Sequence, residues 1–403
     1  MLIDTKMYYV IVILFMRTLF KIISWLLLLL IASLVTYVTY LYLQNPVVVS
    51  RLGGFMMGNS PGIPEMVAAK NGYPLIQATS KSISEESIES AIKFAEETDS
   101  HALLIFHKNE IQLEHYFPEY SKESITPTAS MHKSVLAILI GIAIEQGYIE
   151  SIDQPASDFL TEWSNDQRNQ ITIRQMLQQS SGIDYPEFSF HPLGEWNEMA
   201  VGDDVMKITL NQMYEKDPDT EFAYNGINPQ NLGLLLQRAT GQRYSNYLSE
   251  NFWQHLAEKD SYVILDSEKN KMPRMFCCLD AIAKDWLRVG ILILNKGILN
   301  EKRIVSESWI KQMTSSSQLN PNYGYLTWLG MEHQERRIYN IKSTATGFHS
   351  EPYIDKDVIY FDGFGGQRVY IIPSQELVIV RTGTIKMNWD DAKLPNIISK
   401  GIL

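Results

Sequence analysis

Cysteine is nearly absent from this chain: Cys277 and Cys278, side by side, are the two found in 403 residues. No framework of spaced cysteines exists, so no disulfide scaffold is implied, and the pair reads as two small, buried, inert hydrophobes. Positive charge is also in deficit. Lys and Arg number 35 against 46 Asp and Glu, a formal charge of −11, which argues against a nucleic-acid partner and fits a soluble domain that resists association. There is no internal repeat and no low-complexity tract. The acids Asp203, Asp204 and Asp280 lack metal-ligand spacing and read as a solvated face; neither a metal nor another cofactor is expected.

Charge is missing altogether from Ile22 to Leu43, a run rich in Leu, Ile, Val and Tyr. As a helix it covers about 33 Å at about 1.5 Å per residue, enough to cross a bilayer. Lys6, Arg17 and Lys21 precede it and Arg51 is the first basic residue after it. That bias keeps the N-terminal end in the cytoplasm and sends the remainder to the periplasmic or extracellular side. A cleaved signal peptide is the rival reading, but Tyr37 to Tyr42 is bulky and has no small-x-small cleavage pattern. The expected layout is a cytoplasmic segment over 1–21, a single membrane anchor over 22–43, a linker or ordered lead-in over 44–81, and one large domain over 82–403.

Within that domain, Ser82 to Thr98 has amphipathic helix character, with Ser82 and Glu85 at capping-box spacing. Ala102–Phe106 and Ile111–Tyr116 read as a strand pair joined by the four residues His107 to Glu110. Helical patterns follow at Val135–Gln146, Thr172–Gln178, Asn231–Ala239 and Ala281–Leu294, with glycines marking ends. Strands return at Arg368–Ile372 and Leu377–Thr382, separated by Pro373–Glu376. Asp390–Ile398 is a final helix candidate that Pro395 would interrupt. Strands at both ends and helices between them predict an α+β domain: an antiparallel sheet flanked by helices and completed by the C-terminus, with a mostly helical region inserted.

The chemistry-bearing feature is Ser130 with Lys133. On a helix these positions share a face. A lysine in a poorly solvated site loses basicity and can take a serine's proton. The spacing alone is weak, since Ser90/Lys93 and Ser308/Lys311 repeat it and roughly one or two copies arise by chance. Those two have charged neighbours and look like surface. Ser130 opens the apolar run Val135–Ile144, where a helix N-terminus favours developing negative charge. A plain helix cap is the competing reading. His132, between the two in sequence, points elsewhere on a helix and reads as packing or surface.

From about residue 100 to 385 the chain resembles the serine β-lactamase-related hydrolases, a β-lactamase/penicillin-binding-protein-like fold. The stretches that carry the resemblance are 129–155, Ile171–Leu177, Ser180–Ile183, Asn231–Gly233, Ala239–Gln242 and Asp285–Arg288. It is most similar to the esterase and 6-aminohexanoate-dimer-hydrolase-like branch. The resemblance implies Ser130 as nucleophile and Lys133 as base. It implies Tyr224, in Phe222–Gly226, as the second-motif tyrosine. Tyr244 fits the letters too, but it follows a stretch that comes after the catalytic tyrosine in the family, so it is left to packing. The third residue of the motif is Gly226, a departure for which Asn225 or Asn228 would have to substitute in holding substrate. At the third motif Phe361-Asp362-Gly363 stands where Lys-Thr-Gly or His-x-Gly is usual, so the cation that helps hold a substrate carboxylate is missing. Gly363, Gly365 and Gly366 let substrate approach the backbone, and the Phe364 N–H joins that of Ser130 as an oxyanion hole by analogy. Trp328 either lines the pocket or is core. The function implied is hydrolysis of a small-molecule ester or amide. A D,D-peptidase acting on cell-wall peptides is the second reading, and an inactive binding or scaffold protein, favoured by Phe361 and Gly226, is the third.

Overall fold

The computed structural model of the protein describes residues 5–70, 72–187 and 191–403. Its first element is one unbroken helix, Thr5–Gln44. The expected N-terminal segment and anchor therefore lie on a single rod, with residues 1–4 outside the described part. Met7–Gln44 is apolar and long enough to cross a membrane, and none of its most apolar window is buried against the protein. At about 1.5 Å per residue the helix runs about 60 Å, twice the hydrocarbon core of a bilayer.

The 44–81 stretch is ordered throughout its described residues. Asn45 breaks the first helix and caps a second, Pro46–Met56: its side chain accepts from the Val48 N–H at 3.1 Å, and Pro46 occupies the first turn, where no N–H is needed. Val48 is buried against Ala200 and Val201 of the helix Glu195–Val201. Strand Ile63–Val67 then pairs antiparallel with Ser261–Leu265 in a four-stranded sheet.

The main sheet has seven strands in the order Trp328–Leu329, Ile359–Gly363, Gln367–Ile372, Leu377–Gly383, Ser100–His107, Glu110–Tyr116 and Ile76–Gln77. Every neighbour is antiparallel except the final pair. The N-terminal hairpin thus meets the C-terminal strands, as expected of an α+β fold. Its turn is tighter than the sequence indicates. Lys108 and Asn109 both take positive φ (49° and 65°), the geometry of a two-residue turn that follows strand twist. One face of the sheet is closed by the helices Glu85–Glu97 and Lys393–Ser399 over Leu103, Ile105, Tyr370 and Ile379. The other face meets Ala283–Leu294, whose Gly290 leaves room for Val378 and Val369.

Three local expectations are corrected. Ser84, not Ser82, caps the Glu85 helix, because the Ser82 hydroxyl is taken by His107 at 2.7 Å. Pro395 does not interrupt the last helix; it sits in the first turn of Lys393–Ser399, where a missing N–H costs nothing. Asp280 is not solvated: it is buried and accepts from the Ser60 hydroxyl at 2.5 Å, and burial raises its carboxyl from 3.8 to about 6.

Candidate active site

Ser130 lies in a 3-10 turn, Ala129–Met131, which runs directly into the helix His132–Glu145. Ala129 holds φ at 48°, a left-handed conformation that a residue with a Cβ adopts at a cost. The strained step comes immediately before the serine and turns the chain into the helix. Thr128 anchors it from behind, donating to the Leu279 carbonyl at 2.7 Å. The helix itself is buried all round, from His132 to Ala143, so Lys133 is carried into the interior with it.

The Lys133 amine stands 2.7 Å from the Ser130 hydroxyl and donates to the Phe276 carbonyl at 2.5 Å. Burial lowers its ammonium from 10.5 to about 7, while the more distant Asp362 carboxylate acts in the opposite sense. A neutral amine that donates to Phe276 keeps its lone pair for the serine proton. The Ser90 and Ser308 pairs, by contrast, lie on exposed surface.

The structure brings Tyr224 to the same place. Its ring centroid is 4.8 Å from the Lys133 amine. Burial raises its hydroxyl well above the usual phenol value, the Asp362 charge adds to this, and a hydrogen bond with Ser130 opposes it. It is therefore a protonated donor at neutral pH. The backbone of Tyr224 is fixed on both sides: its N–H donates to the Tyr339 carbonyl at 2.9 Å and its carbonyl accepts from Asn340 at 2.7 Å. Tyr339 and Asn340 carry no motif in the sequence, and only the fold shows what they hold.

Strand Ile359–Gly363 supplies the opposite wall. A Cβ on Gly363 would overlap the Thr128 carbonyl, so glycine is what lets this strand press against the serine turn. Gly365 and Gly366, at φ 76° and 91°, make the following turn and leave Phe364 projecting at its tip, half exposed. The Ser130 amide opens a helical turn, where N–H groups have no partner in the helix, and the contact of Gly363 with the Thr128 carbonyl brings the turn that carries Phe364 close to it.

Other sequence expectations change. Trp328 does not line the cleft. It is buried and backs Tyr224, with ring centroids 5.4 Å apart. Asn228 is buried, accepting from Ser181 at 2.7 Å and donating to Gln179 at 3.0 Å. Asn225 is occupied too: its side chain caps the helix Ile227–Thr240 through the Ile227 and Asn228 amides and donates to Ala223. Both asparagines shape the Tyr224 loop. A Cβ at Gly226 would meet Met199 at 3.0 Å and Phe276 at 3.4 Å; apolar groups fill that side of the site.

His132 is packing with a hydrogen-bonded purpose. Burial lowers its imidazole to about 4. The neutral ring spans the Cys277 carbonyl (2.6 Å) and the Tyr244 hydroxyl (2.7 Å). Tyr244 is buried in the core, as expected of a packing residue. Cys277 and Cys278 are buried as expected, yet they are not two free thiols: they form a disulfide with each other. The segment 276–278 is docked on the nucleophile turn through three successive residues, with the Cys278 N–H donating to the Ala129 carbonyl at 3.3 Å.

Comparison with known proteins bears on this geometry. Among curated proteins, a 6-aminohexanoate-dimer hydrolase of Paenarthrobacter ureafaciens is 26% identical over 229 residues, which is 54% of this chain and 58% of that protein. The match thus spans less than two thirds of the relative. Among solved structures, a Bacillus anthracis protein provisionally named 6-aminohexanoate-dimer hydrolase superposes with a TM-score of 0.67 at 18% identity, covering 84% of this chain and 89% of that one. A family VIII carboxylesterase superposes with a TM-score of 0.60 at 14% identity, covering 80% and 99%. At such identities the structures establish the shared fold. A profile of the family described as Beta-lactamase matches residues 88–393, which takes in Ser130, Lys133, Tyr224 and the Gly363 strand, and the chain therefore belongs to that family of serine hydrolases.

Proposed function

We propose that the protein is a membrane-anchored serine hydrolase that cleaves an ester or amide through a Ser130 acyl-enzyme. The observation that carries the reading is the buried Lys133 amine, 2.7 Å from Ser130 and brought to about 7. Lys133 takes the Ser130 proton as the oxygen attacks the carbonyl. The amides of Ser130 and Phe364 receive the oxyanion. Tyr224, held protonated, passes a proton to the leaving group and recovers one by way of Lys133. Water then attacks the acyl-enzyme and releases the acid. The long apolar N-terminal helix anchors the enzyme, with the catalytic domain on the non-cytoplasmic side.

Ser130→Ala is expected to abolish hydrolysis of a nitrophenyl ester and labelling by a fluorophosphonate. Undiminished turnover by purified Ser130→Ala protein would sink the mechanism. If the folded wild-type protein resists every serine-directed probe, the scaffold reading replaces it.

A further inference from the structure

The segment that joins the apolar helix to the domain is packed against elements on both sides of the Ser130 site. Beyond Asn45, the helix Pro46–Met56 is stapled to the helix Glu195–Val201. The Phe55 and Trp196 rings lie 6.2 Å apart, and Arg51 donates to the carbonyls of Val201 and Gly202 at 3.1 Å and of Asp266 at 2.7 Å. Met199 of that second helix is the residue that closes on Gly226 beside Tyr224. At its other end the segment reaches the opposite wall. A Cβ on Gly58 would touch the Ile385 side chain at 3.7 Å, and Ile385 packs on Gly365, next to Phe364; the Lys386 N–H donates to the Gly365 carbonyl at 3.0 Å. Ser60 is clasped by Asp280, and Pro61 accepts from the buried Arg274, which also donates to Met199 at 2.6 Å. The lead-in therefore bridges both walls of the site and is held there by buried bonds.

Large apolar side chains stand out to solvent on this bridge among polar ones such as Ser50 and Asn59. Met56 is 62% exposed and Met57 77%, and on the segments that meet this one at Ile385 and Gly365, Phe364 is 48% and Met387 62% exposed. Single exposed apolar residues are ordinary, but these four come from three segments that the contacts of Ile385 with Gly58 and Gly365 draw together, and so form a patch. The patch begins about a dozen residues after the apolar helix ends, which as a helix is roughly 20 Å. That is about the length of an extended long acyl chain.

We infer that the preferred substrate is an amphiphilic ester with a long acyl chain, taken from the membrane in which the enzyme is anchored. The acyl chain lies on Met56, Met57, Phe364 and Met387 while its carbonyl meets Ser130. This rests on the serine-hydrolase and anchor readings above and adds the substrate class. Methionine suits such a rim, being apolar, unbranched and adaptable to chains of different length. Each methylene removed from water is worth about fourfold in binding, so contact over even three or four carbons separates long esters from short ones.

The test uses the full chain in phosphatidylcholine nanodiscs, with p-nitrophenyl acetate and p-nitrophenyl laurate. The laurate-to-acetate ratio of kcat/KM is expected to exceed ten. It should fall at least fivefold in Met56→Ser/Met57→Ser and return in Met56→Leu/Met57→Leu, which controls for folding. Partitioning of laurate into the lipid is common to all three proteins and cancels. In parallel, Ser130→Ala protein is titrated with a pyrene-labelled dodecanoyl ester, with and without the two serine substitutions; a dissociation constant at least tenfold weaker is expected with them. Turnover with a ratio that the serine substitutions leave unchanged overturns this inference alone. Binding that the serine substitutions weaken as expected, without turnover by the wild-type protein, overturns the hydrolase reading alone. A change in oligomeric state with unchanged ratio and binding marks the patch as a contact between copies and overturns the inference.

Discussion

In the proposed mechanism Lys133 sets both activity and stability, with opposite signs. The drop from 10.5 to about 7 is worth about 5 kcal/mol of preference for the neutral amine, at about 1.4 kcal/mol per pH unit. At pH 7.5 an unperturbed lysine would be neutral in about one molecule in a thousand; at about 7 it is neutral in roughly three quarters. The log of kcat/KM for a nitrophenyl ester should therefore fall with unit slope below pH 7, by about a hundredfold at pH 5. The folded state binds fewer protons than the unfolded one between about 7 and 10.5, so the lysine's cost is full below pH 7 and fades as pH rises through that window. Lys133→Met keeps the length and fills the same apolar space without the charge. It should lose at least a thousandfold in kcat/KM and yet melt at a higher temperature than wild type at pH 6. Part of the 5 kcal/mol is offset by the lost contacts to Ser130 and Phe276, leaving a net gain of about 1–3 kcal/mol. The gain should shrink toward pH 10. Differential scanning fluorimetry across pH, beside the ester assay, reads both. A wild-type rate that stays flat down to pH 5, or a Lys133→Met protein that melts lower than wild type at pH 6, would refute the reasoning.

Two further substitutions test the surroundings of the site. Asn340→Ala removes the side chain that holds the Tyr224 carbonyl; kcat should fall about ten- to hundredfold with KM little changed, as for a catalytic group displaced by about 1 Å, and an altered KM at constant kcat would assign Asn340 to substrate binding instead. Asp280, raised from 3.8 to about 6 by burial, binds a proton more readily in the folded state, so its destabilising effect grows as pH rises through that window and is complete above it. Asp280→Asn should raise the melting temperature at pH 8 by an amount equivalent to at most about 3 kcal/mol and leave it unchanged at pH 3, and an equal effect at both values would show that charge is not the cause.

The Ser130–Lys133 pair was legible because the two lie one turn apart at the head of an apolar helix; telling it from Ser90/Lys93 and Ser308/Lys311 took the apolar context and the family-like stretches around it. Tyr224 needed the order of the family's motifs, because Tyr244 has the better-matching letters; Tyr244 is buried against His132, while the Tyr224 ring stands 4.8 Å from the Lys133 amine. What stayed hidden is what long-range packing decides. Asn225 and Asn228 have the chemistry of substrate ligands, and the fold spends it on a helix cap and a buried pair. Asp280 looked solvated because nothing local shows that Ser60, 220 residues away, covers it. The lead-in over 44–81 offered only breakers and mixed polarity, yet its strand pairs with residues 261–265.

The third-motif wall gives the sharpest prediction about substrate charge. Phe361, where the family usually has a cation, is fully buried and packs toward Val369 and Val380 in the main core. Its neighbour Asp362 turns to the other face, where Arg337 and Arg368 bind its two oxygens at 2.6 and 2.7 Å, and Asp391 engages the same two arginines. Arg337 also lies on the Trp328 ring at 3.8 Å. These cations are spent inside the wall, and Lys133 is largely neutral at pH 7.5. A penicillin's carboxylate would thus enter the cleft without the charge-assisted bond that is worth about 1.5–3 kcal/mol, a loss of roughly ten- to hundredfold in affinity. Fluorescent penicillin should leave the protein unlabelled at concentrations where a fluorophosphonate labels it fully, and stable labelling would instead support the D,D-peptidase reading. Phe361→Lys should not restore labelling. Its ammonium would be buried in an apolar core with no partner, so the variant should lose stability before it gains a ligand.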